Sequence, residues 1–346
     1  MAMEIDYGEI EEILRQITGE SVGFGELVED ATNGGSLLSL QHWIKTLGTV
    51  FLEQLQCNGQ AMLQLLLLLV SSAVLAAITR AFRNRQISDM GFYILFLLLM
   101  VMLMGTFGNC YVMTEELIYD LTDFMKVLMP AYLAAAAAGA YKTTAVVYYE
   151  GFLMLMYFLQ KLVAYVLLPG IRAYVLLSML SFLGKDEMFQ KGRESLKKLI
   201  LWALKAMIGV SAGLQMIQGM LSPAIDEMKH TAVSKGISSL GNIGNVAQNV
   251  TDVILGSAEL LKNGIGVVAA LLLISICLVP AAKIACYCIL YQFMAAVAEP
   301  VSDGRIVGVL SQMGEGLGLL MKLMFTVCAM FLLTIAIVCV TTGGIV

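Results

Sequence analysis

Residues 265–294 form an apolar run interrupted by one proline, Pro280, and one charge, Lys283. As a helix this run is about 45 Å long at roughly 1.5 Å per residue, more than the ~30 Å hydrocarbon layer of a bilayer. In lipid, a backbone N–H or C=O is satisfied only by the chain itself, so such a segment crosses as a helix. Other stretches repeat the pattern. Of the 346 residues, 59% are hydrophobic and 14% charged, against about 25% charged in soluble domains. That is too little polar surface to cover a water-soluble globule of this length. The expected fold is an all-α polytopic membrane protein with about six to eight transmembrane helices. An amphipathic helical N-terminal region and a helical extracytoplasmic loop complete it.

Lysine and arginine set the orientation. A first span is expected over Ala61–Ile78 and a second over Met90–Phe107, with Arg80, Arg83 and Arg85 between them. Such basic loops stay in the cytoplasm. Residues 1–60 then form an extracytoplasmic domain, and residues 61–346 the membrane domain. Residues 1–30 are acidic, and Ile10, Ile13, Leu14 and Ile17 recur at helical spacing. Asn33-Gly34-Gly35 separates this helix from a second amphipathic one over Ser36–Gln56.

After the second span, Glu115, Glu116, Asp120 and Asp123 face only Lys126, which marks an outside loop. Gly184–Lys198, with Lys185, Lys191, Arg193, Lys197 and Lys198, marks an inside one. Residues 127–183 are expected to cross three times between them, with Pro169-Gly170 breaking the third apolar segment. One crossing with two surface helices is the alternative. Leu199–Leu221 returns outward, and residues 222–264 form the extracytoplasmic loop, with a turn at Gly241 and Gly244. Ile265–Met294 crosses back, as one kinked helix or as two short ones meeting at Pro280. Leu317–Val340 is the last span, with Lys322 near its cytoplasmic end.

The chemistry of catalysis is not legible here. There is no phosphate-binding glycine loop, no nucleophile elbow and no HExxH pair. The seven cysteines form no CxxC pair, His42 and His230 are far apart, and Cys57 and Cys110 are not expected to pair. No enzyme activity, catalytic residue, cofactor or metal is expected, and no basic tract suggests nucleic acid. The candidates for function are the charges inside apolar runs. Lys142, Lys161, Lys205 and Lys322 sit near expected helix ends, where a long side chain can snorkel. Glu150, Arg172 and Lys283 do not. Pro280 frees a carbonyl one turn before Lys283, and an unwound helix beside a cation can hold an anion or carbonyl at membrane depth. Glu150 is the expected partner of Lys283.

The Ser222–Asp303 stretch resembles the stage III sporulation protein AE family of endospore-forming bacteria, and the resemblance extends through most of the membrane region, weakening toward the N-terminus. The resemblance is carried by Gln218-Gly219, Pro223 with Asp226, Gly241, Gly244-Asn245 and Leu255-Gly256-Ser257. It continues in Leu261-Lys262-Asn263, Gly266, Pro280 with Lys283, and Glu299-Pro300 with Asp303 and Arg305. It implies a permease-like subunit of the secretion-like channel complex between mother cell and forespore. The chain would sit in the mother-cell membrane facing the forespore, with its N-terminus extracytoplasmic. The implied partners are a cytoplasmic ATPase, small membrane proteins and ring-forming proteins. It also implies a cleaved signal peptide, so this sequence has the length expected of a mature form. Pro223, Asp226, Lys235, Gly241 and Asn245 then mark a partner-binding loop. Two other readings stay open: a stand-alone secondary transporter, and a membrane-anchored assembly scaffold without transport.

Overall fold

The computed structural model describes residues 8–18, 63, 67, 70, 74, 85–138, 142–183, 190–214, 242–300, 302 and 304–342. All of these except 299, 300 and 302 are helical. We label the helices α1 (Gly8–Thr18), α2 (Arg85–Ala138), α3 (Lys142–Leu162), α4 (Leu168–Leu183), α5 (190–214), α6 (Asn242–Ala298) and α7 (Gly304–Thr342). Among the described residues, four stretches are long and apolar enough to cross a membrane: Tyr93–Tyr132, Glu150–Phe182, Ile265–Ala298 and Gly304–Cys339. The expected span Ala61–Ile78 and the segment 222–241 lie outside the described residues, apart from residues 63, 67, 70 and 74, and Leu199–Leu221 is described only to residue 214.

The outside loop expected after Phe107 is instead the middle of α2, a 54-residue helix. Glu116 and Asp123 point outward, while Leu117, Ile118, Leu121, Phe124, Met125 and Leu128 are buried. The apolar period near 3.6 therefore runs unbroken beneath the charges, and it outweighs the local acidity. Pro130 is exposed and inside the same helix. It costs one backbone hydrogen bond without ending the helix.

The three separate segments expected over 127–183 are really two: the end of α2 and one helical run, 142–183. Pro169-Gly170 does not break that run. Residues Val163–Leu167 form a π-turn, in which Leu168 N–H donates to Val163 O. The wider turn accommodates the proline, whose ring would crowd the carbonyl of Tyr165 in a regular α-helix. Pro280 is likewise inside a single helix, α6, so 265–294 is one helix and not two. The 242–264 part of the expected loop belongs to the start of α6. α6 ends where Glu299 N–H donates to Ala295 O (3.0 Å) and Ser302 N–H to Ala298 O (2.8 Å).

α7 is the centre of the bundle, with α6 along most of its length and α2 and α4 on its other sides. Glycines set how close they come. A methyl group on Gly308 would overlap the Phe182 ring, one on Gly316 would overlap Val175, and one on Gly266 would overlap the Cys339 sulfur. Only hydrogen leaves room for backbones this near, which is how membrane helices gain packing contact. The core is Phe96, Phe107, Phe124, Tyr174 and Phe331 among many Leu, Ile and Met side chains. α1 packs on α2 and buries Ile10, as its amphipathic spacing requires.

Candidate intramembrane polar site

The register of the bundle follows from its contacts. Gly266 lies against Cys339, Cys277 meets Cys328, and the Cys288 thiol donates to Gly314 O at 3.2 Å. α6 and α7 are thus antiparallel. Phe182 against Gly308 and Val175 against Gly316 make α4 antiparallel to α7 as well. α5 runs parallel to α7, because Lys197 pairs with Glu315 while Ile200 lies 3.7 Å from the Cβ position of Gly170.

Buried hydroxyls account for little of the polarity. Thr114, Thr122, Ser178 and Thr334 each donate to the carbonyl four residues earlier, at 2.6–2.9 Å. They are satisfied within their own helices and need no outside partner.

Glu315 is different. Its Oε2 accepts from Lys197 Nζ at 2.6 Å and from the Tyr174 hydroxyl at 2.9 Å. That hydroxyl also lies 3.0 Å from Gln312 Oε1. Three helices, α4, α5 and α7, are tied at one level. The Lys197 and Glu315 side chains keep 36% and 37% of their exposure, so the pair faces an opening and not the sealed core.

A second level lies one to two turns further along. Lys322 is seven residues past Glu315, and Lys205 is eight past Lys197. At roughly 1.5 Å per residue these are rises of about 10 and 12 Å on parallel helices. Lys283 lies between Cys277 and Cys288 on α6, so it is level with the part of α7 between Cys328 and Gly314, which contains Lys322. The Lys322 charge reaches Cys288 of α6. Lys205 and Lys322 are exposed and Lys283 half-buried. Among the described residues, no carboxylate lies within ion-pair distance of these three lysines. A charge at mid-span costs about 2.5–3.5 kcal/mol on insertion scales.

The sequence candidates fall in several places. Lys283 is level with this site on α6, and Pro280 lies one turn before it in the same helix. Glu150 is exposed at the start of its span and makes no ion pair with Lys283 among the described residues. The chain order could not show that α3 packs on α2 while α6 packs on α7 and α2. Arg172 stacks on the Tyr111 ring, 5.9 Å from its centroid, rather than entering the site. Lys161 lies 4.8 Å from the ring centroid of the exposed Tyr165. Lys205 and Lys322, which the sequence reads as snorkelling residues, are both exposed; Lys322 is near the middle of Gly304–Cys339, a stretch of about 54 Å at roughly 1.5 Å per residue and so longer than the ~30 Å hydrocarbon layer. Glu315, Tyr174 and Lys197 were not singled out; the polar spacing Ser311, Gln312, Glu315, Lys322 was the signal available. Pro223, Asp226, Lys235 and Gly241 lie outside the described residues, and Asn245 is in the first turns of α6.

A family model described as Stage III sporulation protein AE matches residues 22–342. The chain belongs to that family. A family relative, the stage III sporulation protein AE of Bacillus subtilis (strain 168), is 24% identical over 325 residues, covering 93% of this chain and 80% of the relative. No solved structure matches. The family match takes in both levels of the polar site and places the chain among sporulation proteins with an apolar, helical membrane region.

Proposed function

We propose that this protein is the permease-like membrane subunit of a multiprotein secretion-like channel between mother cell and forespore. It works in the mother-cell membrane facing the forespore, with its N-terminus extracytoplasmic, and it performs no enzymatic step. Its partners are a cytoplasmic ATPase, small membrane proteins and ring-forming subunits. The observation that carries the reading is the polar face of α7, with Glu315 held by Lys197 and Tyr174 and the exposed Lys322 beyond it. A helix that only anchored a scaffold would gain nothing from charges at that depth, whereas a transport path needs them.

The test uses an endospore-forming host that lacks its own family member. The full-length chain should restore spore formation and copurify with the ring-forming subunits and the ATPase. Restored sporulation without any copurifying subunit would refute the complex.

A further inference from the structure

We propose that α5, α6 and α7 wall a water-filled vestibule for anions, which enters at the Gly304 end of the bundle and stops before Phe325. This rests on the permease-like reading and names the class of solute the subunit admits: small anions bearing a carboxylate, phosphate or sulfonate group.

The exposed face of α7 changes character halfway along. From the Gly304 end it presents Ser311, Gln312, Glu315, Gly318 and Lys322, all exposed or half-exposed. The next outward large side chains are Phe325 and Leu333. Over the ~30 Å of hydrocarbon a helix facing lipid would be apolar, and one lining an open pore would be polar. A stripe that is polar to mid-span and apolar beyond describes a blind-ended recess.

Its charge selects the sign of the ion. At the first level Glu315 is neutralised by Lys197, at 2.6 Å. At the second, Lys322 on α7 and Lys205 on α5 are exposed and have no carboxylate within ion-pair distance among the described residues. Lys191 and Lys198 are exposed near the start of α5, beside the entrance. Like charges lining a recess with low-dielectric walls focus their field and concentrate the counter-ion.

Gly318 offers a reporter position. It lies on this face between Glu315 and Lys322, and a Cβ there meets nothing within 4 Å. Gly105 also has open space and is exposed, on the apolar face of α2 near Phe107, which approaches Gly316. It tests the same depth on the lipid side. The full-length chain, reconstituted in vesicles with its native cysteines, is labelled with a sulfonate-bearing and with a trimethylammonium-bearing methanethiosulfonate. Labelling is counted as the gain over the unsubstituted chain. Gly318→Cys should react at least about tenfold faster with the sulfonate reagent, and adding Lys322→Gln should lower that ratio severalfold. Gly105→Cys should stay inert. Ser311→Cys near the entrance should react in a correctly folded chain. If Ser311→Cys reacts and Gly318→Cys does not, no water reaches this depth and the proposal fails. Equal rates for the two reagents at Gly318→Cys, or comparable labelling of Gly105→Cys, would also overturn it. Neither arm needs a partner subunit, so failed copurification would bear on the proposed function alone.

Discussion

Removing Glu315 tests whether the first level of the site holds the helices together. Its carboxylate accepts from Lys197 at 2.6 Å and from Tyr174 at 2.9 Å. A hydrogen bond to a charged group contributes about 1.5–3 kcal/mol when shielded. Here each partner of the ion pair is more than a third exposed, and exposed pairs contribute roughly 0–1 kcal/mol. The Lys197–Glu315 coupling should therefore be about 1 kcal/mol, and the better-buried Tyr174 bond should add about 1–1.5 kcal/mol. Glu315→Gln keeps an acceptor for Tyr174 and loses only the charge, so it should cost about 1 kcal/mol. Glu315→Leu removes both interactions and strands Lys197, so it should cost about 2–3 kcal/mol. The double substitution Glu315→Leu with Lys197→Met removes the stranded charge and should recover part of that loss. The assay is the midpoint of heat-induced loss of the monodisperse peak in detergent, for the wild type, both single substitutions and the double. Additivity of the two single effects within about 0.3–0.5 kcal/mol would refute the argument, because independent sites behave that way.

Two α7 glycines two residues apart should behave oppositely. Gly316→Ala places a methyl against the stiff, β-branched Val175 and should destabilise by about 1–3 kcal/mol through overpacking, less about 1 kcal/mol regained in helix propensity. Gly318→Ala meets nothing and should be neutral or slightly stabilising in the same thermal assay. Lys283→Met keeps the approximate length and removes a mid-span charge, so membrane insertion should improve, by up to about 2.5–3.5 kcal/mol. Sporulation in a complementation assay should nevertheless be lost, and normal spore counts at a normal protein level would show the charge to be dispensable. Reporter fusions at Arg85 and Gly241 should report opposite sides of the membrane, as the basic residues require; the same side for both would refute the orientation.

How much was legible in the sequence can be followed residue by residue. The apolar runs dictated a helical membrane protein, because lipid leaves the backbone no other way to satisfy its hydrogen bonds. Periodicity placed α1 correctly through Ile10 and Ile13. Lys283 stood out because a lone charge in such a run demands an explanation. Composition misled where local polarity and tertiary burial disagree. Four acids in the middle of α2 resembled a loop, yet the residues between them pack the core. Pro169 resembled a break, yet a π-turn absorbs it.

What the chain order could not contain was the juxtaposition of distant helices. Lys197 and Glu315 are more than a hundred residues apart, as are Tyr174 and Glu315, and nothing local marks them as partners. Lys283 and Lys322 come to one level only because α6 and α7 approach closely, as Gly266 against Cys339 allows, and thereby fix their register. Hydropathy decides whether a segment enters the membrane, since that is a property of each segment alone. Which charges meet there depends on the depth and rotation of every helix relative to its neighbours, and close packing at a few glycines sets both.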